Sequence, residues 1–104
     1  MTEIRALITR FVDSDQPGWV ECEFVDAFGR KWIFREKVPV VTNEYLCEDS
    51  SYPCPGFIAG QIVGEKTDAT GRRVLTVDTE QPWGVEAITG EHRFDVLPEQ
   101  VVAE

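Results

Sequence analysis

Histidine and cysteine are scarce in this 104-residue sequence: one of the first and three of the second. That leaves little material for a metal or nucleophile site. No Gly-x-Ser-x-Gly, His-Glu-x-x-His or phosphate-cradling glycine loop occurs. Basic residues are also few, ten against 19 acids, for a net charge of −9. Nucleic-acid affinity comes mainly from Lys and Arg neutralising phosphates, so this balance argues against a nucleic-acid partner. No apolar run approaches the roughly 18 residues of a membrane-spanning helix. No charged stretch followed by an apolar one opens the chain as a secretion signal would. The expectation is a cytoplasmic protein with no membrane partner. Helical periodicity is missing too, since no window of ten or more residues repeats at 3.6.

What the sequence does have is a period of two. Apolar residues make up 42% and aromatics 11%, enough to build a core in one small domain over 1–104. Ala6 and Ile8 alternate with Arg5, Leu7 and Thr9. Val20, Cys22 and Phe24 fall opposite Glu21 and Glu23, the pattern of a strand with one wet face. Asp26 to Arg30 reads as a turn with Gly29 at its positive-φ position, and Lys31 to Arg35 resumes the pattern, so 20–35 predicts a hairpin. Phe57 to Lys66, the turn Asp68-Ala69-Thr70-Gly71 and Arg73 to Thr79 predict a second. Val85 to Ile88 and His92 to Leu97, around Thr89-Gly90-Glu91, predict a third. Gly56, Gly60 and Gly64 recur every four residues within a strand, which points to bulges or tight bending. Pro98 to Val101 fits one helical turn with Pro in its first position. Val101 and Val102 equally fit a closing strand.

The predicted fold is therefore all-β: one small, Greek-key-like barrel of six to seven mostly antiparallel strands, with at most one short helical turn near the C-terminus. Val20, Phe24, Trp32, Phe34, Ile62, Leu75, Val77, Phe94 and Val96 are expected in the core. Val38-Pro39-Val40-Val41 reads as an edge strand, because proline is tolerated only at edges.

Three stretches carry a resemblance. Val20 to Trp32 (VECEFVDAFGRKW), Glu36 to Val40 (EKVPV) and Asp78 to Glu86 (DTEQPWGVE) resemble segments of small bacterial hypothetical β-domain proteins. The resemblance implies a bacterial, cytoplasmic setting and no particular activity. The strand plan is also similar to small Greek-key barrels such as the second domain of translation elongation factors, a likeness of layout that carries no function.

The candidates for chemistry are thin. Cys22, Cys47, Cys54 and His92 are zinc-ligand types, but six residues separate Cys47 from Cys54 and Cys22 sits on an apolar strand face. Cys47 and Cys54 would close a small disulfide ring, whereas a reducing compartment favours free thiols. Close carboxylate pairs (Glu21 with Glu23, Glu48 with Asp49, Asp13 with Asp15) are expected by chance at this acid content. Asp13-Ser14-Asp15 opens like a calcium loop, but Pro17 and Trp19 stand where oxygens are needed. No catalytic residue, cofactor or metal is therefore assigned.

Charge and aromatics point elsewhere. Residues 74–104 carry one base, Arg93, and seven acids, which marks an acidic surface suited to a basic protein partner. The one long connection, Asn43 to Pro55, holds Tyr45, Glu48, Asp49 and Tyr52. With Trp83, which either anchors a partner or folds back to plug the barrel, these five are the candidate partner-binding residues. The leading function is a non-catalytic protein-binding module for a basic partner, as an immunity protein binds a toxin. The alternatives are a self-associating domain pairing through an edge strand, and a small enzyme built on a carboxylate pair and His92.

Overall fold

The computed structural model describes residues 2–103. The chain is all-β. Seven strands form a curled half-barrel: β1 (Thr2–Asp13), β2 (Trp19–Val25), β3 (Lys31–Lys37), β4 (Cys54–Thr67), β5 (Arg73–Asp78), β6 (Arg93–Val96) and β7 (Val101–Ala103). Every pairing is antiparallel, in the order β3-β2-β1-β4-β5-β6, with β7 on β1. Three hairpin-linked strands followed by a fourth that returns beside the first make a Greek key. Among the described residues no helix is long and apolar enough to cross a membrane.

The two hairpins 20–35 and 54–78 form because alternation and turn chemistry agree. Gly29 and Gly71 take φ of 83° and 88° at their tips. Asp26 and Asp68 each accept from two backbone amides of the turn they open, the side-chain bonding that makes aspartate a turn former. The long strand β4 serves two neighbours. Cys54 to Gly60 pair with β1, and Gln61 to Thr67 pair with β5. The glycine series makes that crossing possible. A Cβ on Gly56 would lie 2.7 Å from Ile8, and one on Gly60 would lie 2.7 Å from the Asp78 carbonyl oxygen. Gly64 follows the bulge where the β4–β5 register slips.

The concave side holds one core cluster. Ile4, Ala6 and Ile8 of β1 face Val20, Cys22 and Phe24 of β2, Trp32 and Phe34 of β3, and Leu75, Val77, Phe94 and Val96. Eight of the nine expected core residues are buried. Ile62 is the exception, 47% exposed. Ile62 stands opposite buried Val77 at the margin of the core, and it and the bulge residue Val63 both reach solvent.

Two predicted strands are not strands. Val38–Val41 is a single helical turn, α1. Pro39 pre-sets its first turn, the Thr42 N–H donates back to the Val38 carbonyl, and Val38 and Val41, three apart, are the buried pair. It is therefore a second helical turn beyond the C-terminal one expected. Val85 to Ile88 keeps its alternation, with Val85 and Ala87 buried. Its amides, however, go to the Thr79, Glu91 and Ile33 carbonyls rather than along β6. Both expectations for the C-terminus hold in succession: Pro98–Gln100 is a 3-10 turn, and β7 follows.

The open side of the half-barrel is drawn together by single bonds. Ala27 N–H donates to the Asp95 carbonyl, Ile88 N–H to Ile33, and the Gln100 side-chain amide to the Val25 carbonyl. Two of these bonds sit at the β2–β3 turn and the third lies within β3.

Candidate functional site

The connection from Thr42 to Pro53 runs from α1 to the start of β4. Its backbone is ordered from inside. Thr42 Oγ1 accepts from the Glu44 amide, Ser50 Oγ accepts from the Cys47 amide, and the Ser50 amide donates to the Cys47 carbonyl. The Tyr52 hydroxyl donates to that same carbonyl at 2.6 Å. Tyr52 is half-buried and packs on the core, so it braces the loop rather than standing free. Leu46 packs beside it.

Tyr45 is the opposite case, 87% exposed. Trp83 reaches the surface from the β5–β6 connection, 60% exposed. It does not plug the barrel. Val85 and Ala87, two and four residues later, turn inward instead. Gly84, at φ 67°, donates its N–H to the Glu80 carbonyl and closes the turn that sets Trp83 outward.

Tyr45 and Trp83 line one groove of about 890 Å³, together with Pro39, Val40, Pro55 and Phe57. Glu3, Arg5 and Glu44 are its charged lining residues. A second groove of about 310 Å³ lies on the other side of Tyr45. Glu48 and Asp49 line it, along with Phe11, Gln16 and Pro17. Tyr45 and Leu46 belong to both grooves. The structure thus brings Tyr45 together with Trp83, and Tyr45 together with Glu48 and Asp49, while Tyr52 stands behind them. Pro39, Pro55 and Phe57 were missed as groove residues. The only sequence signal for them was that α1 and the start of β4 flank the long connection.

The charge is distributed differently in space than along the chain. Asp78 and Asp95, two acids of the C-terminal third, are paired with Arg93 and Lys66. Glu21 takes both Arg10 and Arg35, Glu23 takes Lys31, Glu65 takes Arg73, and Asp68 takes Arg72. Among the described residues Asp13, Asp15, Glu44, Glu48 and Asp49 make no ion pair, and Glu48 and Asp49 of these line the second groove; Glu80, Glu86, Glu91 and Glu99 of the C-terminal third make none either.

The remaining titratable cluster sits at the end of β5. Asp78, Glu80 and His92 each offer one ligand atom, all within 4.8 Å of one another, a donor set of the kind zinc takes. Arg93 opposes that use, because its Nε donates to Asp78 Oδ2 at 2.9 Å and sets a guanidinium against the carboxylate. His92 Nδ1 lies 3.0 Å from Asp78 Oδ1, which also accepts from the Glu80 amide. The cluster knots β5 to β6. The Glu80 amide first, and then His92, hold the Asp78 carboxyl down at about 2. In return Asp78 raises the His92 pKa above its ordinary 6.5. A folded-state pKa above the unfolded one stabilises in full below about pH 6.5. That contribution is lost as pH rises through the folded value. Unfolding stability is therefore expected to decline across neutral pH, and His92→Gln to flatten the decline. The imidazole proton shifts read His92 alone, since it is the only histidine. A midpoint at or below 6.5 would contradict the pairing.

The thiols complete the inventory. Cys22, Cys47 and Cys54 are free. Burial pushes the Cys22 thiol up to about 12, which makes it an inert core residue. Burial also raises Cys54.

Compared with known protein-family models, with curated proteins and with solved structures, the chain matches none.

Proposed function

We propose that the chain is a non-catalytic protein-binding module whose docking surface is the Tyr45–Trp83 groove. Its partner carries a basic contact surface, and a bacterial cytoplasm is the setting. One observation supports this above the others: two exposed aromatic side chains from separate loops converge on one groove lined by prolines and apolar residues. Tyr and Trp dominate interface hot spots, and large exposed aromatics otherwise cost solubility. A concrete form of the activity is neutralising or chaperoning a basic protein, as an immunity protein does for a toxin. The net charge of −9 favours such a partner by steering its approach.

The test is a pull-down with the wild-type chain and with Tyr45→Ala and Trp83→Ala. Each substitution is expected to weaken the partner by about 2 kcal/mol, roughly 30-fold, without changing the melting temperature. A partner that survives both substitutions belongs to another surface.

Self-association is the second reading, and one observation favours it. Residues 61–67 of β4 pair only with β5 among the described residues, and Ile62 and Val63 are exposed on that open edge. This edge replaces 38–41, which is helical, as the place where two copies would meet. Sedimentation of the chain at rising concentration tests it. An enzyme using His92 and a carboxylate pair has less in its favour, because Asp78 is already tied to Arg93.

A further inference from the structure

Resting on the docking reading above, we infer that the two grooves meeting at Tyr45 take an extended cationic segment of a partner protein. Its proline or aliphatic residues lie in the larger groove, and its Lys or Arg residues lie along the smaller one. The larger groove offers Pro39, Pro55, Phe57 and Trp83. Grooves lined by aromatics suit pre-extended, proline-containing chains, which lose little entropy on docking.

The smaller groove is built from two loops without a single base. Residues 13–18 carry Asp13 and Asp15, residues 42–53 carry Glu44, Glu48 and Asp49, and neither stretch contains Lys or Arg. None of these five acids makes an ion pair among the described residues; Glu80, Glu86, Glu91 and Glu99 make none either, but the five here lie on two loops that hold no base to offset them. Lys37, paired with Trp19 in the β2–β3 register, lies over that ring at 5.7 Å. The acids therefore form an unneutralised field beside an apolar groove, and the complement to that arrangement is a segment with both cations and apolar anchors. A second copy of this chain brings like charge to the same place, and a nucleic acid brings phosphates to it.

The probe is a fluorescent peptide of repeated Lys-Pro-Leu, with a counterpart in which Glu replaces Lys. Both are titrated against the whole chain by anisotropy at low and physiological salt. The Lys peptide is expected to bind and the Glu peptide not to. Neutralising the field in one variant (Asp13→Asn, Asp15→Asn, Glu48→Gln, Asp49→Asn) is expected to cost at least about tenfold in affinity and to flatten the salt dependence. Asn at 13 still accepts from the Asp15 amide, as Asp13 does. Equal binding of the two peptides, no binding of either, or indifference to the four neutral substitutions overturns the cationic assignment. If Tyr45→Ala and Trp83→Ala still abolish peptide or partner binding, the docking reading survives that result. If they abolish neither, both fall together.

Discussion

Phe94→Ala is expected to lower the unfolding free energy by about 3–5 kcal/mol. Phe94 is 2% exposed and is the ring on which the others converge. Trp32, Phe24 and Phe34 meet it edge-on at centroid distances of 5.0, 5.4 and 5.5 Å. Truncation removes the transfer energy of a full phenyl group and leaves a cavity. The cavity is walled by Trp32, whose Nε1 is fixed to Asp26 at 2.9 Å, and by Phe24 and Phe34, stacked on each other at 5.6 Å. Walls held in this way collapse poorly, which places the cost toward the upper end. A domain of this size has about 5–15 kcal/mol in all, so the variant should unfold at markedly lower urea. A loss under 1 kcal/mol would mean the face assignment of β6 is inverted.

The residues that make this core were legible because local and global signals agree there. Phe24 and Phe34 lie on alternating strands joined by the turn Asp26 to Arg30, and setting Phe24 opposite Trp32 and Cys22 opposite Phe34 needs only hairpin geometry. The failures occur where the signal is local but the outcome is decided across the fold. Val38-Pro39-Val40-Val41 is a four-residue apolar run, which no periodicity assigns to helix or strand. The buried pair Val38 and Val41 settles it as a helical turn, because α1 must cross β4 at Gly56. At Val85 to Ile88 the alternation truly reports which side chains face inward, but not where the amides go. At Ile62 the alternation gives the right face, opposite buried Val77, but not that this position stands at the core's margin, 47% exposed.

The candidate surface was half legible for the same reason. Exposed Tyr45 and the acids Glu48 and Asp49 could be read from one loop. The meeting of Tyr45 with Trp83 could not, since it depends on how the β5–β6 connection folds back toward α1. Charge counted by thirds of the chain pointed to residues 74–104. Counted in space, Asp78 and Asp95 there are spent on Arg93 and Lys66. Glu80, Glu86, Glu91 and Glu99 there make no ion pair among the described residues, and a second unpaired group lies at 13–18 and 42–53. That second group is what joins the electrostatic argument to the aromatic one, since Glu48 and Asp49 line a groove with Tyr45.

Gly60→Val is expected to cost at least the upper part of the roughly 1–3 kcal/mol typical of overpacking, and Gly60→Ala the lower part. Among the described residues Gly60 is the last β4 residue paired with β1, opposite Thr2, and the next residue pairs with β5. At this crossing a Cβ would stand 2.7 Å from the Asp78 carbonyl oxygen and 2.7 Å from Val77 Cγ1. One of those atoms is backbone and cannot rotate away. Relief would require β4 and β5 to separate at the point where the two halves of the sheet are joined. It would also disturb Asp78, which anchors His92 and Arg93. Gly64, on the same strand, is the internal control. Its Cβ would meet Thr76 at an ordinary 3.7 Å, so Gly64→Ala is expected within about 0.5 kcal/mol of wild type. Chemical denaturation of the three variants side by side measures the contrast. If Gly60→Val and Gly64→Ala unfold at the same denaturant concentration, the close approach of β4 to β5 is not what bends this sheet.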